Sequence, residues 1–125
     1  MEGRLRDKKV EGEKKPTRYF SDKQEKSVAS RLRGKQTANS GATPFSKGDV
    51  LLEDVLMECK TKTKDSESFT IHKEWIDKNT REALFMGKKY GAIAFNFGPN
   101  QPNYYVIDEE LMEILIDKLK RNEGA

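Results

Sequence analysis

The sequence predicts a single α/β domain, a mixed sheet flanked by helices, and three observations carry that reading. Two short β-favouring runs, Val50 to Leu52 and Val55 to Lys60, bracket a Glu53-Asp54 turn and read as a hairpin. Residues 73 to 86 place Trp75, Ile76, Asn79, Ala83 and Leu84 near helical spacing, with charged residues between them. Gly91 to Phe97 is then a mostly apolar run closed by Gly98-Pro99, the pattern of a buried strand. At 125 residues the chain can bury one core and is too short for two.

Taken in order, residues 1 to 20 mix Lys, Arg, Glu and Gly without apolar periodicity and read as a flexible basic arm, leaving 21 to 125 as the folded domain. Ser21 and Gln24 have capping-box spacing and Gly34 supplies a stop, so a first helix is expected over about 22 to 33. Lys35 to Lys47 is rich in Asn, Ser, Gly, Thr and Pro and reads as a long loop. After the hairpin, Ser68 to Ile71 is a candidate third strand. Gly87 ends the helix over 73 to 86, and Tyr104 to Ile107 is a short strand beside Gly91 to Phe97. Asp108 caps a last helix with Leu111, Leu115 and Leu119 along one side, acidic residues at its start and basic ones at its end. The expected order is α-β-β-β-α-β-β-α, without internal repeats.

Lys and Arg outnumber Asp and Glu by 24 to 21, a net charge of +3 that by itself identifies no nucleic-acid partner. The single Cys59 excludes an internal disulfide framework and a cysteine-rich zinc site, and the single His72 argues against histidine-based hydrolysis. No apolar run approaches the ~18 residues that span a bilayer, and the N-terminus is charged. A soluble, cytoplasmic protein is expected.

A tight Glu53-Asp54 turn pairs Leu52 with Val55, Leu51 with Leu56, Val50 with Met57 and Asp49 with Glu58. Two carboxylates then face each other about 5 Å apart at Cβ, an arrangement that needs a positive charge between them. Period two puts Lys60 on the same face as Glu58, and Cys59 on the other, toward the core. Hard oxygen ligands suit Mg2+, with Mn2+ as a substitute. Such an ion activates water and stabilises a departing oxyanion, while the ammonium offsets charge on a phosphate. Together these groups suit phosphodiester hydrolysis. Glu25 shares a helical stripe with Val28, Ala29 and Leu32, so its buried carboxylate must reach a metal or a basic partner. Ser40, in the Asn39-Ser40-Gly41 turn, is placed to bond a phosphate oxygen or a metal-bound water. Arg31, Arg33, Lys35, Lys47, Lys62 and Lys64 are candidate contacts to a DNA backbone, Lys60, Lys62 and Lys64 alternating along one side if their strand persists. Trp75, Tyr104 and Tyr105 are read as packing or interface residues.

Gly48-Asp49, eight residues, then Glu58-Cys59-Lys60, preceded by Glu25 on a helix, resembles the PD-(D/E)XK nuclease superfamily. Within it, Gln24-Glu25-Lys26, Asn39-Ser40-Gly41, Ser46 to Val50 and Met57 to Lys60 look most like archaeal-type Holliday junction resolvases, which also occur in phage-like versions. The likeness covers about residues 21 to 97, with Gly48 in place of the family's proline. It implies a restriction-endonuclease-like α-β-β-β-α-β core and metal ions held by Glu25, Asp49, Glu58 and the carbonyl of Cys59. It also implies a homodimer that cuts DNA junctions, for which Gly91 to Phe97 with Tyr104 and Tyr105 would supply the interface. The alternatives are a nuclease of the same fold acting on flaps, nicks or foreign duplex DNA, and a non-catalytic nucleic-acid-binding module.

Overall fold

A computed structural model describes residues 16–37 and 49–124, and the side chains to residue 122. The elements are α1 (Thr17–Leu32), β1 (Lys35–Gln36), β2 (Asp49–Leu51), β3 (Val55–Lys60), α2 (Lys73–Phe85), β4 (Tyr90–Phe95), β5 (Tyr104–Val106) and α3 (Glu109–Gly124). The chain is α/β, with one five-stranded mixed sheet in the order β1-β2-β3-β4-β5. Among the described residues only β3 and β4 run parallel, which is the pairing that α2 makes possible by carrying the chain back between them.

The hairpin has the expected register: Asp49 opposes Glu58, Val50 opposes Met57 and Leu51 opposes Leu56. Alternation along these strands sends Val50 and Met57 to one face, where they join Val28 of α1 with Ala92 and Ala94 of β4 in the core. Cys59 packs against that cluster, as its position in the alternation requires. The other face, with Leu56, Glu58 and Ile93, is covered by α2. The Asn79 amide of α2 donates to the Leu56 carbonyl at 3.2 Å.

Several boundaries depart from expectation. The first helix begins at Thr17 after Pro16, so Thr17 to Phe20 belong to the fold and not to an arm. Ser21 and Gln24 form no capping box, because both sit inside the helix and Gln24 points inward, only 4 % exposed. The helix is closed by Arg33 in the left-handed conformation (φ 59°) rather than by Gly34. Gly34 is needed for space: a Cβ there would run into Leu52, Val50 and the Leu51 carbonyl. Lys35 and Gln36, expected in a loop, form the edge strand β1 against Val50 and Leu51. Ser68 to Ile71 is not a strand. Both sides of β3 are already paired, to β2 and β4, and this segment instead begins the crossover to α2, with Phe69 stacked 5.0 Å from the Phe95 ring. Asp108 does cap α3, its Oδ1 accepting the Leu111 N–H at 2.9 Å. Of the three leucines expected on one side of α3, only Leu111 turns inward. A spacing of four drifts around the helix, leaving Leu115 44 % and Leu119 57 % exposed. Among the described residues no helix is long and apolar enough to cross a membrane.

The backbone of β4 passes so close to α2 that a Cβ on Gly91 would collide with the Asn79 side chain and press on its carbonyl. Gly91→Ala is therefore expected to lower unfolding free energy by about 1–3 kcal/mol through overpacking, measured by urea denaturation. An unchanged midpoint would mean that α2 and β4 are not in this contact.

Candidate active site

Asp49 and Glu58 are brought opposite each other at the open end of the hairpin, and Lys60 follows Glu58 on the same face. Lys60 Nζ lies 3.1 Å from Glu58 Oε2 and 4.4 Å from the centre of the Trp75 ring, so α2 supplies an aromatic wall that aims the ammonium along the strand. From the opposite side of the sheet, Gln24 Nε2 donates to the Lys60 carbonyl at 2.8 Å and to Asn103 Oδ1 at 3.2 Å, which ties α1 to the ends of β3 and β5. Thr61 donates to Asn96 Oδ1 at 2.8 Å and extends the same polar network.

Electrostatics mark Asp49 as the unusual group. It is 4 % exposed, and burial first, then the facing Glu58, then Glu82 and Glu25, push its carboxyl up to about 8, against a smaller opposite pull from Lys78. Glu58 Oε1 is buried and has no hydrogen-bond partner among the described residues. A cation between the strands would relieve both conditions at once, so this carboxylate pair fits a hard divalent ion. Among the described residues, however, no three His, Cys, Asp or Glu side chains stand close enough to form a metal-holding group.

Glu25, expected beside this pair, makes its contacts elsewhere. It is 1 % exposed on the α1 side of the sheet, accepts a 3.0 Å hydrogen bond from Gln36 Nε2 and lies 3.7 Å from Arg18 Nη1. The basic partner that its burial demanded is thus Arg18. Burial pushes the Glu25 carboxyl up, while Gln36 and Arg18 draw it down. It stays near enough to Asp49 for its charge to be felt there. The Cys59 thiol faces the core, on the side of the sheet away from Asp49 and Glu58, and burial, with Glu25, Asp49 and Glu58 adding to it, pushes its pKa up.

Ser40 and Lys47 lie outside the described residues. Arg33 and Lys35 stand exposed at the turn end of the hairpin, away from the Asp49–Glu58 end, because Lys35 pairs with Leu51. The lysine alternation does not persist, since β3 ends at Lys60. Lys62 instead folds back to donate to Ser66 Oγ at 3.0 Å and to the Ser68 carbonyl at 2.7 Å, and Lys64 is exposed. Arg31 borders a cleft of about 710 Å³ between α1 and the β4–β5 connection, together with Phe20, Lys23, Asn100 and Tyr105.

Sequence reasoning missed Gln24, Gln36, Glu82 and the contact of Trp75 with Lys60. Gln24 was within reach, since it falls four residues before Val28 on the buried stripe of α1. Gln36 carried no signal in a polar segment. No protein-family model, curated protein or solved structure matches the chain.

Folding holds the Asp49 proton more tightly than the unfolded chain does, where the carboxyl sits at 3.8. Its stabilising contribution is complete below that value and is lost as pH rises through about 8. In EDTA, the melting temperature is therefore expected to fall between pH 5 and pH 9, and Asp49→Asn to remove much of that fall. A variant with the same pH dependence as the wild type would show that Asp49 is not held as described.

Proposed function

We propose that this chain is a metal-dependent DNA endonuclease, acting as a homodimer on branched DNA such as a four-way junction. The observation that carries the reading is the register-enforced opposition of Asp49 and Glu58 with Lys60 beside them. Binding alone needs no buried carboxylates next to phosphates, since they repel the ligand. The order α1-β1-β2-β3-α2-β4 is also the one implied by the restriction-endonuclease-like core, and it supports that finer fold assignment.

In this reading Asp49 and Glu58 would hold Mg2+ or Mn2+, with the Cys59 carbonyl available next to them. Glu25 acts from the other face as an electrostatic neighbour and Ser40 as a phosphate or water contact. The bound ion would supply an acidic water and a sink for charge on the scissile phosphate. Lys60, held by Trp75 and by the Gln24 hydrogen bond to its own carbonyl, donates to the phosphate oxygens as negative charge builds on them. Burial and the facing Glu58 favour the protonated form of Asp49, so an ion held there would have to compete with that proton. Metal affinity should therefore rise with pH. Arg31 and Lys23 in the cleft, and Arg33, Lys35 and Lys64 at the surface, offer positive charge to the duplex backbone.

The test compares a four-way junction, a flap and a linear duplex with Mg2+. Junction cleavage is expected to exceed the other two, and Asp49→Asn or Glu58→Gln to abolish it while DNA binding is kept or strengthened. Lys60→Ala should lower turnover by about 10²–10³ without unfolding the chain. Emission of Trp75, the chain's single tryptophan, should respond to Mg2+ in the wild type and not in Asp49→Asn. Binding without cleavage under Mg2+ or Mn2+ would leave a nucleic-acid-binding module, and equal cleavage of flap or duplex would move the substrate away from junctions.

A further inference from the structure

Of the surface expected to join two copies, β4 lies inside the sheet between β3 and β5, with Ala92, Ile93 and Ala94 at most 3 % exposed, while Tyr104 and Tyr105 stay open on the edge strand β5. Apolar side chains are also open elsewhere, as at Leu84 and Phe85 of α2, and α3 carries a further exposed set. Met112, Leu115, Ile116 and Leu119 are 50 %, 44 %, 38 % and 57 % exposed. They fall at i, i+3, i+4 and i+7, one continuous stripe over two turns. The inward side of the same helix is already used by Leu111, 8 % exposed, and by the half-buried Ile114. An apolar seam of this spacing, with charge on its flanks, is what one helix presents to another.

The charges on α3 say which helix. Its first half carries only acidic charge, Glu109, Glu110 and Glu113, whereas its second half carries Lys118, Lys120 and Arg121 against Asp117, which pairs with Arg121 at 2.6 Å, and Glu123, and so is basic on balance. An antiparallel second copy of α3 sets each acidic half against a basic half, whereas a parallel copy sets like against like. The flanks agree in detail. Glu113 and Lys120 are seven residues apart and so border the stripe on the same side. A two-fold axis between antiparallel helices keeps each flank on its own side, so Glu113 of one copy meets Lys120 of the other, twice over. Neither residue has an ion-pair partner among the described residues, and at seven apart they cannot satisfy each other along one helix.

We infer that two copies of this chain associate through α3, antiparallel about a two-fold axis, with Met112, Leu115, Ile116 and Leu119 as the seam and Glu113–Lys120 pairs on its flank. This deepens the two-copy nuclease reading by naming the surface that joins its two sites. An isologous helix pair has the symmetry that a pair of identical sites on one branched substrate requires. It also leaves the Asp49–Glu58 end of the hairpin out of the contact, since neither residue belongs to α3.

The experiment is sedimentation equilibrium of the whole chain without DNA or metal, with far-ultraviolet circular dichroism to confirm that each variant is folded. The wild type should be a dimer that dissociates at micromolar concentrations, as a small interface does. Leu119→Lys, at an exposed position, should give a folded monomer. Glu113→Lys and Lys120→Glu should each weaken association roughly tenfold, since each replaces two attractions by two repulsions. The double variant Glu113→Lys with Lys120→Glu should restore it. A wild type that stays monomeric at every concentration, or a double variant as weak as the singles, overturns the inference. Junction cleavage is scored separately. A monomer that cleaves leaves the nuclease reading standing without this interface, and a dimer with no cleavage leaves the interface standing without the nuclease.

Discussion

The pairing register of β2 and β3 is the constraint on which the rest of this structure depends. With Asp49 opposite Glu58, the alternation sends Val50, Met57 and Cys59 to the α1 core and Asp49, Glu58 and Lys60 to the opposite face. A slip of one residue would exchange the two sets, burying Lys60 and Glu58 under α1 and exposing the apolar side chains. The register is therefore held by the hydrophobic core, and the carboxylate pair is a by-product that the core enforces. Nothing in the local preferences of two acidic residues would bring them face to face, since like charges directly opposed destabilise a strand pair. The fold imposes both the burial and the repulsion, and the pKa of Asp49 is raised by burial first and by the facing Glu58 second.

Because the pair is imposed, the surrounding shell has to manage it. The helices do so from opposite faces by different means. On the α2 side, the Trp75 ring backs the Lys60 ammonium, which in turn pairs with Glu58. On the α1 side, Gln24 fixes the Lys60 backbone, and Glu25 is satisfied by Gln36 and Arg18. Glu58 Oε1 is left without a hydrogen-bond partner among the described residues, as is Gln24 Oε1, and it stands opposite the buried Asp49, whose pKa is raised. Buried polar groups are ordinarily paired. Two opposed carboxyl groups at one end of a sheet, one of them with an unpartnered oxygen and the other buried, are the physical reason to read this region as a site for chemistry and not as part of the scaffold.

Much of this was legible along the chain where the information is local. The hairpin register followed from one two-residue turn and the alternation on either side of it. The amphipathic pattern over 73 to 86 gave α2 nearly to the residue, and Asp108 announced its own cap. Legibility failed where a neighbour distant in sequence decides the outcome. Lys35 and Gln36 become a strand because Val50 and Leu51 offer an edge, and Ser68 to Ile71 do not because β2 and β4 already occupy both sides of β3. Gln24 has the composition of a cap and the position of a core residue, and packing settled between them.

By itself the sequence determined the class of fold, the opposition of Asp49 and Glu58, and the placement of Lys60 beside them. All three rest on periodicity and turn length, which act over a few residues. Only the tertiary structure decided that Glu25 answers to Arg18 and Gln36 across the sheet, that Trp75 stands over Lys60, and that β4 is internal while one stripe of α3 stays open. These depend on which elements become neighbours. Neighbourhood is fixed by the burial of the whole apolar set at once, which no single stretch of sequence encodes.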